Sequence, residues 1–252
     1  MDIHKPKPWH GLREFLKEYL IIVIGVLTAL GAEQAVEAVH TAQKATEAEA
    51  LVREELAVDL AFAADRARYS PCYQAHLIAA QRLLLASVKD GRVGRLPQMI
   101  LGTRPFSWNQ WQGAVSSGIA GHFPAERRVL YQRLYLVGAA DGGESLNARQ
   151  NIEIEAGARL ATLILPPRPI DVGTREQLLQ AARLANYEER AIEGNARHFV
   201  EVATPLHLPP AKISAQVILH TEAETKACVD AVAAVTADLP PVPAPLKSAW
   251  NR

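Results

Sequence analysis

The sequence predicts an all-α protein: one N-terminal transmembrane helix, a long stalk helix continuous with it, and a periplasmic helical bundle. Three observations carry this expectation. Residues 19–32, Tyr-Leu-Ile-Ile-Val-Ile-Gly-Val-Leu-Thr-Ala-Leu-Gly-Ala, hold no charge. Residues 33–69 contain neither proline nor glycine and are dominated by alanine, glutamate and leucine, which favours one long helix. Most later segments repeat their apolar residues at helical rather than strand spacing.

The expected organisation is an interfacial amphipathic segment over 1–18, a membrane helix over 19–36, a helical domain over 37–239 and a proline-rich tail over 240–252. Lys5-Pro-Lys-Pro-Trp9 is extended by its prolines, and Trp9, Leu12, Phe15 and Leu16 mark an apolar face suited to the membrane interface. The uncharged run alone covers about 21 Å of a hydrocarbon layer of roughly 30 Å. Phe15 and Leu16 before it and Ala35 and Val36 after it complete the span, with Lys17 snorkelling and Glu33 near the far surface. A cleaved signal segment, for which Ala29-Leu-Gly31 supplies small residues, and a buried soluble helix are the competing readings. Lys5, Lys7, Arg13 and Lys17 precede the span and only Lys44 lies between residues 32 and 52, so the N-terminus is expected to be cytoplasmic.

Glu18-Tyr-Leu-Ile-Ile-Val-Ile-Gly-Val-Leu-Thr-Ala-Leu30, with its amphipathic lead-in and following acidic residues, resembles a family of bacterial single-pass membrane proteins of unknown function. The resemblance covers roughly residues 10–40. It implies a bacterial inner-membrane location with an exported helical domain and supplies no catalytic residues. Within the span, Gly25, Thr28, Ala29 and Ala32 share a face of small residues on which a second helix could pack closely.

Beyond the span, Val52, Leu56, Leu60 and Ala63 form a stripe on the stalk. Ser70-Pro71 is expected to end the stalk and begin a second helix, whose stripe is Tyr73, Leu77, Ala80 and Leu84. The two helices then suit an antiparallel hairpin, followed by a loop from Asp90-Gly91 through Gly102 to Pro105. Ser107 opens a short helix in which Trp108, Trp111, Val115 and Ile119 share a face, as core anchors or as a pocket wall. Pro124 begins a further helix, broken at Asp141-Gly-Gly143 and resumed over residues 146–165. Thr174-Arg-Glu-Gln177 has the spacing of a capping box and precedes a helix reaching about Ala203. Ile213 to Leu219 fits strand or helix, and Thr221-Glu-Ala-Glu224 caps a final helix holding Cys228.

Lysine plus arginine equal aspartate plus glutamate at 27 each, and the basic residues are scattered, which argues against nucleic acid as a partner. In an oxidising compartment Cys72 and Cys228, the only cysteines, are expected to pair, closing a loop worth about 5 kcal/mol by chain entropy. Two separate buried thiols are the alternative. Neither cysteine has a CxxC or His-rich setting, so no metal or cofactor is expected. Ala114-Val-Ser116-Ser-Gly118 has the letters of a hydrolase elbow without the strand that an elbow needs. Glu37-Ala-Val-His40 is one half of a di-iron pattern with no second copy. The expected function is therefore non-enzymatic. It is a membrane-anchored accessory, scaffolding or assembly protein, its partners the bilayer and another membrane or envelope protein or a second copy. A ligand-binding sensor walled by Trp108 and Trp111 is the first alternative, and a serine hydrolase centred on Ser116 the second.

Overall fold

The computed structural model describes residues 11–89, 91–97, 104–139, 146–214, 217 and 219–242. The lead-in over residues 5–9, the Asp141-Gly-Gly143 break and the proline-rich stretch beyond residue 242 lie outside them. Among the described residues six α-helices make up the fold: α1 (Leu12–Ala86), α2 (Asn109–Ser116), α3 (Ala125–Ala139), α4 (Leu146–Leu160), α5 (Val172–Ala203) and α6 (Glu222–Thr236). Two-residue strands β1 (Arg92–Val93) and β2 (Arg168–Pro169) pair antiparallel. The architecture is all-α, with α1 as its spine.

α1 is 75 residues of uninterrupted helix, about 112 Å at 1.5 Å per residue. The hairpin expected at Ser70-Pro71 does not form, and Pro71 lies inside the helix on an exposed position. A proline within a helix costs about 3 kcal/mol, so packing on both sides must outweigh it. The source of that packing is a heptad seam. Ala45, Glu49, Val52, Leu56, Asp59, Ala63, Arg66, Ser70, Tyr73, Leu77, Ala80 and Leu84 alternate steps of four and three, and every one of them is buried. The seam crosses Pro71 without changing phase. Ser70 is thus a seam residue and not a helix cap: its hydroxyl donates to Glu189 Oε1 at 2.5 Å. The supposed stalk is likewise the centre of the bundle from Ala45 onward, with Asp59 rather than Leu60 fully enclosed.

α5 runs antiparallel along α1, and α4 and α6 close the sides. Two apolar clusters result. The first joins Val52, Leu56 and Ala63 to Ile192, Ala196 and Phe199, with the α2–α3 aromatics over them. The second joins Leu77, Leu83 and Leu84 to Leu178, Ala182, Ala185 and Val232. Between them lies a buried polar belt at Asp65 to Gln74 of α1. Local signals place the helix starts. Thr221 and Glu224 form the expected reciprocal capping box on α6. α5 starts earlier than the Thr174 reading, because Asp171 accepts from Thr174 N and caps the helix instead. α2 has no side-chain cap of its own; Glu55 of α1 accepts from Asn109 N and Gln110 N. Val115 is exposed rather than on the packed face of α2, and Lys212 to Ser214 form neither strand nor helix.

Because Pro71 is exposed and the seam continues past it, Pro71→Ala should restore the missing helical hydrogen bond and raise the unfolding free energy by about 1–3 kcal/mol. Urea denaturation of the full chain in micelles checks this; a loss of stability would mean that the packing requires a bend at residue 71.

Candidate functional site

Candidate functional groups gather at three places on the fold. The first is the N-terminal part of α1. It is long and apolar enough to cross a membrane, and the stretch that qualifies is not buried against the rest of the chain. Gly25, Thr28, Ala29 and Ala32 are all exposed. A Cβ added at Gly25 or Gly31 would meet nothing within 4 Å, so no neighbour within the chain requires glycine there. Thr28 satisfies its hydroxyl on the Ile24 carbonyl at 2.8 Å. Continued backward in phase, the α1 seam runs Ala42, Ala38, Ala35, Gly31 and Thr28, each small and each exposed. Glu33, Glu37 and His40 are exposed on the same helix.

The second is the polar belt. Arg66 pairs with Glu153 at 2.5 Å and with Glu189, and its guanidinium lies 4.5 Å from the centre of the Tyr73 ring. One guanidinium cannot neutralise two enclosed carboxylates. Glu189 is pushed up from 4.5 to about 9, first by burial and further by its hydrogen bond and proximity to Glu153, against the pull of Arg66. It therefore holds its proton at neutral pH. Asp59 behaves similarly: burial pushes it up to about 8, although Ser107 N donates to its Oδ1, and its Oδ2 has no partner. At the first residue of the belt, Asp65 accepts from Arg104 Nε at 2.9 Å and from His220 N at 2.5 Å, while His220 stacks on Tyr69. These groups bring α4, α5, the 104–106 segment and the start of α6 onto one stretch of α1.

The third is the disulfide end. Cys72 and Cys228 are bonded, with Cα atoms 5.6 Å apart, as expected. One turn beyond Cys72, His76 is 3% exposed with Nδ1 lacking any hydrogen-bond partner, and burial lowers its pKa to about 4. His76 also lines a cavity of about 220 Å³ whose other walls are apolar, including Leu77, Leu96, Ile154 and Ile164. The legible signal was its four-residue spacing from Cys72, which places both on one helix face.

The tryptophans and Ser116 are elsewhere. Trp111 is buried against Phe123 and Tyr131, and Trp108 packs on Phe106, Tyr135 and Phe199, so both serve as aromatic anchors of the first apolar cluster. Ser116 ends α2, exposed, with its hydroxyl on the Gly113 carbonyl at 3.2 Å. That is a helix end and not a strand-to-helix elbow. Compared with models of protein families, with curated proteins and with solved structures, the chain matches none of them.

The belt makes stability fall with rising pH. A folded-state pKa raised above the unfolded value means that the folded chain holds a proton that the unfolded chain has released. For Glu189 this contribution is complete below 4.5 and is lost as pH rises through about 9. Between about pH 7 and 9, unfolding free energy should drop by up to ~1.4 kcal/mol per pH unit from this group. Glu189→Gln, which is neutral at every pH, should flatten the slope, with Asp59 accounting for what remains. Urea midpoints for both proteins across that range provide the check; equal slopes would refute the assignment.

Proposed function

We propose that this chain is a membrane-anchored, non-enzymatic accessory, scaffolding or assembly protein of the bacterial inner membrane. Its N-terminus is cytoplasmic, its bundle periplasmic, and its membrane helix docks on another inner-membrane or envelope component or on a second copy. The observation that carries this reading is the seam of α1. From Ala45 to Leu84 the seam is filled by the bundle, and from Ala42 back to Thr28 the same seam is lined by small, exposed residues, of which Ala42 and Ala38 share a groove with Phe123 and Arg127 and those from Ala35 back extend past the bundle. In lipid, close backbone approach between helices is a main source of association, and small residues permit it. The basic residues before the span set the orientation, and an oxidising periplasm suits the Cys72–Cys228 bond. The family resemblance of residues 18–30 points to the same location.

A second reading is favoured by one specific observation. The largely apolar, partly open cavity beside His76 could accept a small apolar ligand, making the bundle a periplasmic sensor module that acts through a partner. In that case the wall is His76, Leu77 and Ile154, and not Trp108 and Trp111.

Photocrosslinkers placed one at a time at Gly31, Ala35, Ile22 and Val26 in cells test the docking reading. Crosslinked product should appear from the Gly31 and Ala35 side and be weak from Ile22 and Val26. Gly31→Ile should remove it while leaving the urea midpoint of the bundle unchanged, since a Cβ at that position meets none of the described residues within 4 Å. Equal crosslinking from all faces, or none, would remove the proposal. A periplasm-specific reporter fused after Arg252 checks the orientation and should be active.

A further inference from the structure

Cys72 and His76 stand one turn apart on α1, and Cys228 reaches them from α6. One metal-binding atom from each lies within 4.8 Å of the others. The His76 ring nitrogen that is buried without a partner provides a second, independent observation, because an unmet polar atom in a finished core costs about 1–3 kcal/mol. We propose that reduction of the Cys72–Cys228 disulfide opens a Cys2His site for a thiophilic divalent cation of the zinc(II) type. Tetrahedral zinc, with Zn–S near 2.3 Å, sets its sulfurs roughly 3.8 Å apart, so the two helices need separate only slightly from their bonded positions.

The chemistry balances with a dithiol as reductant. Cys72 is enclosed, whereas Cys228 is half-buried, so the reductant thiolate attacks the Cys228 sulfur. The Sγ–Sγ bond breaks, Cys72 leaves as thiolate and takes up a proton, and the second reductant thiol closes the reductant's own disulfide to release Cys228. The protein has gained two electrons and two protons, and the dithiol has lost them. Binding the cation then expels the two thiol protons to solvent, while neutral His76 gives a nitrogen lone pair and loses none. Three protein ligands leave a fourth position open for water.

The full-length chain in detergent micelles, reduced with a dithiol and freed of it without oxygen, is titrated with cobalt(II) as the spectroscopic probe. The expected result is one equivalent bound with thiolate-to-cobalt charge-transfer absorption, displaced by zinc(II). The oxidised protein should show no such band. Reduced His76→Ala should bind about 10- to 100-fold more weakly, while its oxidised form keeps the wild-type unfolding transition. Reduced Cys228→Ser should lose most of the charge-transfer intensity. If reduction lowers the helical circular dichroism signal, the cation should restore it. The proposal is overturned by a reduced wild type without the band, by His76→Ala titrating like wild type, or by a helical signal lost on reduction that the cation does not recover.

Discussion

A helix that leaves a folded bundle and continues as an exposed apolar rod must satisfy two surroundings with one geometry. That constraint governs α1. Its residues cannot change face along the way, so the seam facing α5 at Leu77 is the seam facing α2 and α3 at Val52 and continues as the small-residue line at Gly31. A strict alternation of fours and threes over this length keeps one stripe on one partner, as in a coiled coil. Because the seam holds its phase, the break suggested by Ser70-Pro71 never arises. The packed surface on both sides exceeds the cost of one missing hydrogen bond.

The belt explains why this seam finds one register. Two apolar clusters joined by a slipping interface would tolerate displacement by a turn. Arg66, wedged between Glu153 and Glu189 with Ser70 on the same carboxylate, does not. Buried ion pairs add little net stability over apolar packing, but displacing one partner leaves an uncompensated charge and costs several kcal/mol. The belt therefore acts as a register lock, the role that a single polar seam residue plays in coiled coils. Glu189 resolves the charge imbalance by retaining its proton, which gives the lock its sensitivity to pH. The disulfide fixes the remaining helix, α6, on the far side of the belt.

Much of the fold was legible from local chemistry. The Thr221-Glu224 box and the end of α5 near Ala203 follow from short-range rules, and the pairing of Cys72 with Cys228, 156 residues apart, from their being the only two cysteines in the sequence. The misreading at Pro71 has a physical cause. Glu49, Asp59, Arg66 and Ser70 occupy seam positions, so a search for apolar periodicity sees two short stripes where there is one long seam. The belt was invisible for the same reason, since Glu153 and Glu189 are recognised as buried only once Arg66 is placed among them. Asp171 takes the capping role in place of Thr174 because its carboxylate accepts from both the amide and the hydroxyl of Thr174, which leaves Thr174 inside the first turn of the helix. Of Gly25, Thr28, Ala29 and Ala32, only Thr28 lies on the line that continues the seam, because its phase is set by the buried residues beyond Ala45, and His76 required the fold to bring Cys228 beside it.

The proposed anchoring, the register and the exposed seam all depend on α1 being a single continuous helix. Spin labels at the exposed positions Leu51 and Ile78, in the full-length chain reconstituted in lipid nanodiscs, measure this directly by pulsed electron spin resonance. A continuous helix places them about 40 Å apart at 1.5 Å per residue. A hairpin turning at Ser70-Pro71 would bring them to about 20 Å, given helices packed 8–10 Å apart, and would contradict the account of the spine and of everything built on its seam.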